Sequence, residues 1–416
     1  MLTFAERRIS QSGYLTLVNT PPERIRSGTV RTVCTGQPGR GATVRRLRGL
    51  LAIPLLLLSL TACVKDDPNA ISRIGKGAAC TRNSPPAAPP SSSSTTTSAE
   101  PVSAPNMRVG LAYDIGGRGD TSFNDLAAAG IDRAKAELGV TDVRELSAAA
   151  GESPSAQVAR LRGMALEGFN PIVAVGFAYT DGIKQVSKEF PNVKFGLVDS
   201  VVEAPNVSSL IFAEEQGSFF AGVMAAYKSR SCHVGFIGGV DIPLIHKFEA
   251  GFVQGAKAVA PGIQIERKYL SPAGDTRGFN DPGKGNEATR GQIDAGADVI
   301  YHGAGASAKG IFDAAKAGGA LGIGCDADQY QQPTLAGVKD IIIGSALKKV
   351  DVAVFDFIRA VALGKTADLP KVFDLRNDGV GYSASGGKIN DMIPVLEAYK
   401  AQIVSGKLTV SQQPTR

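Results

Sequence analysis

Residues 108–139 read RVGLAYDIGGRGDTSFNDLAAAGIDRAKAELG, and this stretch decides the fold class. Arg108 to Tyr113 is a short apolar run ending on Asp114, the pattern of a strand buried in a parallel sheet. Ser122 with Asp125 three residues on has the form of a capping box. Phe123, Leu126, Gly130, Ala134 and Leu138 then recur at helical spacing, and Gly139 stands as a C-cap. The unit is strand, glycine-rich loop, helix. Ligands of open α/β sheets bind beyond the carboxyl ends of strands. The loop therefore sets a carboxylate (Asp114), a ring (Phe123) and an amide (Asn124) where a ligand is expected, on a Rossmann-like frame.

Other readings of these motifs are weaker. A dinucleotide turn needs G-x-G-x-x-G after the strand, and residues 114–119 read DIGGRG. Arg118-Gly119-Asp120 spells an adhesion tripeptide, but three residues carry little information. Residues 278–285 nearly spell a phosphate-binding loop, yet Gly285 stands where the magnesium-binding hydroxyl belongs and Pro282-Gly283 favours a turn.

Residues 44–63, VRRLRGLLAIPLLLLSLTAC, carry the signal for export. Three arginines precede an apolar core, Leu50 to Leu60, that is shorter than the ~20 residues needed to span a bilayer. Leu60-Thr61-Ala62-Cys63 resembles a bacterial lipobox, which makes Cys63 the expected lipidated N-terminus. The alternatives are an ordinary signal peptide or a short buried helix. Residues 1–43 are polar, Arg-rich and aperiodic; they read as a misassigned start or a genuine extension. Residues 1–62 hold nine Arg and two Glu, a net of +7 against +6 for the whole chain, so the rest carries −1. The basic balance belongs to the leader, and no nucleic-acid surface is expected. Residues 63–106 form a tether, with a Pro/Ser/Thr-rich run over 83–105 that cannot bury enough surface to fold. Five cysteines stand at 34, 63, 80, 232 and 325. With Cys63 lipidated an odd number remains in the mature chain, so no disulfide framework is read, and Cys232 and Cys325 are taken as small core residues. Three histidines and no metal-ligand spacing argue against a metal site, and no cofactor is expected.

Residues 107–416 alternate strand and helix, as parallel sheets require. Strands are read at 108–113, 171–177 and 193–198, then 233–238, 263–270, 299–302, 321–324 and 341–345. Helices are expected near 122–138, 155–168, 180–189, 244–260, 284–295, 307–317 and 350–363. Two Rossmann-like lobes result: the first about 107–228 plus a later segment near 329–348, the second about 232–325 plus part of the C-terminal region.

The segments VGLAYDIGGRGDTSFND (109–125), GFAYTDGIKQVSKEFPNVKFGLVDS (176–200), EEQGSFFAGVMAA (214–226), VGFIGGVDIPLIHKFEAGFVQGAK (234–257), FNDPGKGNEA (279–288), ADVIYHGAGASAKG (297–310), GIGCDADQY (322–330) and IIGSALKKVDVAV (342–354) occur in order over nearly the whole body. Together they resemble the basic membrane protein (Bmp) family of ABC-transporter substrate-binding lipoproteins, which includes purine-nucleoside receptors. The resemblance implies a type I periplasmic-binding-protein fold, α/β, with two lobes joined by a hinge and a ligand between them. It makes Phe123 one face of a base-stacking sandwich and Tyr301 the other, and sets Asn124 at the base edge. Asp326 would hold ribose hydroxyls and Lys348 would stand beside the sugar. Asp114 and Gly176 line the same cleft, while Gly303 and Gly305 let backbone approach the ligand. Around residues 176–179 this chain carries rings where relatives often carry small polar residues.

The expected function is capture of a nucleoside, a purine nucleoside by the resemblance, and its delivery to an ABC permease from a lipid anchor on the extracytoplasmic face of the cell membrane. A sugar or other small polar solute, or an extracellular sensor of the same fold, are the alternatives. No nucleophile–base pair marks an enzyme.

Overall fold

In the computed structural model the described residues are 80–87 and 101–415; the leader and Cys63 lie outside them. The first sheet holds β1 (Arg108–Tyr113), β2 (Asp142–Ser147), β3 (Ile172–Ala174), β4 (Phe195–Val198) and β5 (Val207–Leu210). These are all parallel in the order β2-β1-β3-β4-β5. Helices α1 (Phe123–Leu138), α2 (Pro154–Leu166) and α3 (Thr180–Glu189) cover it. The second sheet holds β6 (His233–Val240), β7 (Gln264–Ser271), β8 (Val299–Gly303), β9 (Leu321–Asp326), β10 (Ile342–Lys348) and the antiparallel β11 (Val380–Ser383). Its order is β11-β10-β9-β8-β6-β7. With it go α4 (Glu214–Lys228), α5 (Pro243–Val259), α6 (Pro282–Asp294), α7 (Ala308–Ala317) and α9 (Ile393–Val404), whereas α8 (Val350–Leu363) packs on α1 of the first lobe. Two sheets on one chain give the two lobes.

The boundary differs from expectation in one place. The segment near 329–348 belongs to the second lobe, because β10 continues the parallel ladder of β9, with Leu347 opposite Asp326. The chain then crosses to the first lobe with α8 and returns near Phe373. There Phe212 and Phe373 form a parallel bridge, with rings stacked at 5.2 Å. Three crossings side by side make the hinge.

Helices α4 and α5 form the apolar centre of the second lobe. In α4 almost every residue from Glu214 to Ala226 is buried, as a helix enclosed on all sides must be. The two backbones touch: a Cβ on Gly222 would lie 2.0 Å from Phe252 O, and one on Gly255 2.0 Å from Phe219 O. Only glycine permits that approach.

Cys232 is not a free core residue. It is bonded to Cys80, 152 residues earlier, so part of the expected tether is stapled to the second lobe. Cys80 lies in a segment too poor in apolar residues to announce a fixed place. Among the described residues no helix is long and apolar enough to cross a membrane.

Gly255→Ala is expected to lower unfolding stability by about 1–3 kcal/mol by overpacking the α4–α5 contact. Gly291→Ala, on α6 with nothing within 4 Å of its added carbon, should be neutral or gain up to ~1 kcal/mol from helix propensity. Urea denaturation midpoints check both; equal effects at the two sites would refute the close-packing explanation.

Candidate functional site

The carboxyl ends of both sheets face one another across a cleft with about 580 Å³ of empty space, its mouth open to solvent included. The first lobe contributes Asp114 at the end of β1, Asp120, Phe123 and Asn124 from the following loop and helix, Gly176 and Phe177 after β3, and Asp199 after β4. The second contributes Phe248 from α5, Phe279 from a turn, Gly303 at the end of β8, Asp326 at the end of β9 and Lys348 at the end of β10. With Gly305 after β8, eight of the nine expected residues therefore meet in one place.

Tyr301 does not join them. Its ring is fully buried, stacked on Phe252 at 5.3 Å and beside Phe236 at 5.8 Å, and its hydroxyl is hydrogen-bonded to Ser218 Oγ at 2.8 Å. β8 runs two residues beyond Tyr301, which sets the ring about 7 Å below the strand end. On that face the cleft-level position is Gly303, and the ring above it is Phe248, 3.5 Å from where a Gly303 Cβ would be. Phe248 and Phe279 lie on a helix and a turn, so the strand-end rule could not find them. Asp199 could have been found: it follows β4 as Asp114 follows β1.

The loop of the first lobe is built on Asp120, which accepts from the backbone N–H groups of Ser122, Asn124 and Asp125 at 2.8–3.1 Å. No side-chain cap comes from Ser122, so the expected capping box is absent. Asp125 instead accepts from Gly119 N and Thr121 N. Ser122 Oγ is turned across the cleft and donates to Asp326 Oδ2 at 2.7 Å. Asn124 gives its amide hydrogens to Ile115 O and Asp120 Oδ2 and accepts from Asp114 N, so in this arrangement its side chain shapes the loop. Arg118 pairs with Glu145 and Asp132, and Asp120 faces inward, so the adhesion tripeptide is not displayed.

Gly176 has φ +108°, and a Cβ there would lie 2.5 Å from Asp114 Oδ2; the missing side chain makes room for that carboxyl. Thr121, Asp199 and Asp326 all hold φ near +60° at the rim, local strain of the kind that gathers at ligand sites.

At the hinge end Lys348 Nζ lies 2.6 Å from Asp199 Oδ2 and 3.2 Å from Glu214 Oε1, with the Phe123, Phe212 and Phe248 rings 5.0, 5.1 and 5.7 Å away. Burial alone would push the lysine down; the carboxylates of Asp199, Glu214 and Asp326 more than reverse this, and it stays charged. Burial pushes Asp199 up to about 6, opposed by Lys348. Asp199 Oδ1 is buried with no hydrogen-bond partner among the described residues. The lobes also meet where Gln329 Nε2 donates to Thr121 O, so these bonds describe a closed arrangement.

Burial pushes the Cys325 thiol up. Burial also pushes His302 down to about 4; its Nδ1 accepts from Ala304 N and its Nε2 is bonded to Gln329 Oε1. Among the described residues no cluster could hold a metal ion.

Burial raises Asp114 to about 7, against 3.8 for a free aspartate. A carboxyl whose folded pKa is raised stabilises the fold fully below the unfolded value, and that contribution is lost as pH rises through about 7. Asp114→Asn should therefore stabilise the ligand-free protein above pH 7, on the order of 2–4 kcal/mol, with the gain vanishing toward pH 4. Denaturation of both forms from pH 4 to 8 measures it; a gain independent of pH would contradict the assignment.

Residues 108–412 match a family model described as Bmp, ABC transporter substrate-binding protein PnrA-like. An uncharacterized lipoprotein of Pyrococcus horikoshii is 32% identical over 329 residues, 71% of this chain and 77% of that protein. The ABC transporter nucleoside-binding protein BmpA of Lactococcus lactis is 28% identical over 321 residues, 73% of this chain and 89% of its own length. Among solved structures, an ABC transporter solute-binding protein from Aeropyrum pernix K1 superposes with a TM-score of 0.64 at 27% identity, covering 74% of this chain and 94% of that one. The expected family and the two-lobed periplasmic-binding fold are thus both found, and the chain belongs to the Bmp family of PnrA-like ABC transporter substrate-binding proteins.

Proposed function

We propose that the cleft captures a neutral purine nucleoside and that the closed, ligand-loaded form delivers it to an ABC permease, from a lipid anchor at Cys63 on the extracytoplasmic face of the membrane. The observation that carries this reading is the combination of rings from both lobes with a surplus of carboxylates. Phe123 and Phe248 stand on opposite lobes, and Phe177 and Phe279 add further apolar wall. Asp114, Asp120, Asp199 and Asp326 face the same space with one cation, Lys348, already paired. Such a cleft repels phosphates and favours a flat neutral ligand rich in hydrogen-bond donors.

A nucleoside has that shape. Its base offers π-faces to Phe123 and Phe248, each stack worth about 1–3 kcal/mol by analogy with single-strand binding. Its furanose hydroxyls can donate to Asp326 and to the unpartnered Asp199 Oδ1. Lys348, in contact with Phe123 and Phe248, is placed to meet a sugar oxygen as well. Asp114 at the far end, neutral or charged near pH 7, can donate to or accept from a base edge. Buried polar groups of this kind reject ligands that leave them unpaired. The name of the Lactococcus relative supports the same ligand class.

The expected outcome in isothermal titration is binding of inosine, guanosine or adenosine and at least hundredfold weaker binding of the 5′-monophosphates. Phe123→Ala, Phe248→Ala and Asp326→Ala should each weaken nucleoside binding at least tenfold, about 1.4 kcal/mol. Tyr301→Phe should leave affinity within about threefold. Binding of free sugars alone would keep the transport role and overturn the purine ligand; tight binding of monophosphates would overturn the charge argument.

A further inference from the structure

The first residues of the described chain are fastened to the second lobe, although the domain proper begins in the first. Cys80 is disulfide-bonded to Cys232, just before β6. Arg82 Nη2 donates to Tyr227 O and Ser229 O at 3.1 and 3.3 Å, satisfying carbonyls at the C-terminal end of α4. Asn83 donates from its backbone N to Val259 O at 2.7 Å and from Nδ2 to Ala258 O at 2.9 Å, doing the same for α5. The amino end of β6 and the carboxyl ends of α4 and α5 lie together at the pole of the second lobe away from the cleft. The chain next touches the protein on the first lobe, where Ala104 N donates to Leu138 O at the end of α1.

We propose that the Cys80–Cys232 disulfide is the mechanical attachment point of the membrane tether, so that the domain hangs from the far pole of its second lobe. The proposal rests on the reading of Cys63 as the lipidated residue. Sixteen residues, 64–79, then separate anchor and body, a reach of at most roughly 55 Å. Without the disulfide the free length grows to forty residues, 64–103, and the reach to roughly 140 Å from the first lobe. The staple therefore limits how far the domain can stand from the membrane and makes the second lobe the point of attachment. Exported proteins keep such bonds oxidised, whereas a cytosolic thiol pool would not. The peptide bonds of residues 88–100 carry no load in this arrangement.

This last consequence gives the test. In the full chain, expressed with its leader in a bacterial host, residues 91–97 (SSSSTTT) are replaced by a site-specific protease sequence, and isolated membranes are cut. The domain is expected to stay with the membranes after cutting and to be released, nine-tenths or more, by adding dithiothreitol. The Cys232→Ser variant is expected to be released by the protease alone. On a gel without reductant the two fragments should migrate together, and with reductant apart. Release of the unsubstituted-cysteine chain without reductant, or separation of its fragments on the non-reducing gel, overturns the disulfide attachment. Absence from the membranes before any cut, with the fragments still joined on the gel, overturns the lipid anchor and with it the tether's role. The gel and the membrane arms thus fail separately.

Discussion

The ion pair of Lys348 with Asp199, at 2.6 Å and almost wholly out of solvent, is the contact on which the closed cleft depends. Its partners sit at the ends of β10 and β4, one in each sheet, and Glu214 joins from the start of α4 where the chain crosses between lobes. Charges taken out of water are tolerated only when paired, and removal of one partner of a buried pair typically costs about 3–5 kcal/mol. Lys348 holds the group together because it answers several carboxylates at once. The rings of Phe123, Phe212 and Phe248 gather around the same ammonium. Hinge, charge balance and aromatic wall meet at this one side chain.

Closure follows from the same geometry. Three strand ends, β1, β4 and β9, deliver aspartates to the interface, and two of them adopt the left-handed conformation that turns the chain sharply there. Ser122 and Gln329 join the lobes directly, Ser122 Oγ through Asp326 Oδ2 and Cys325 O, Gln329 Nε2 through Thr121 O. A ligand that adds contacts to both lobes shifts the open–closed balance by its differential affinity for the closed form. A permease that recognises the closed form then receives loaded protein in preference to empty.

What the sequence discloses depends on whether the information is local. The strand, loop and helix of residues 108–139 were legible because periodicity, the terminal aspartate and the C-cap glycine lie within one short span. Helices α4 and α9 and strands β2, β5 and β11 are not legible: α4 is buried on nearly every face and so shows no apolar stripe, and β2 is a half-exposed edge strand without clean alternation. The depth of Tyr301 is not legible, because the run VIYHG does not say where the sheet stops. Phe248 and Phe279 reach the cleft from a helix and a turn, and only tertiary packing reveals that. The assignment of β10 to the second lobe and the pairing of Cys80 with Cys232 are likewise facts of three-dimensional proximity. Ser122 is the reverse case: its position was right, and the partner across the cleft, not its own helix, claims its hydroxyl.

The most direct measurement is a crystal structure of the domain grown with inosine. Density for the base between the Phe123 and Phe248 rings, with the furanose hydroxyls against Asp326 and Asp199, is the expected result. A nucleoside bound outside this cleft, or one whose base avoids both rings, would contradict the assignment of the site.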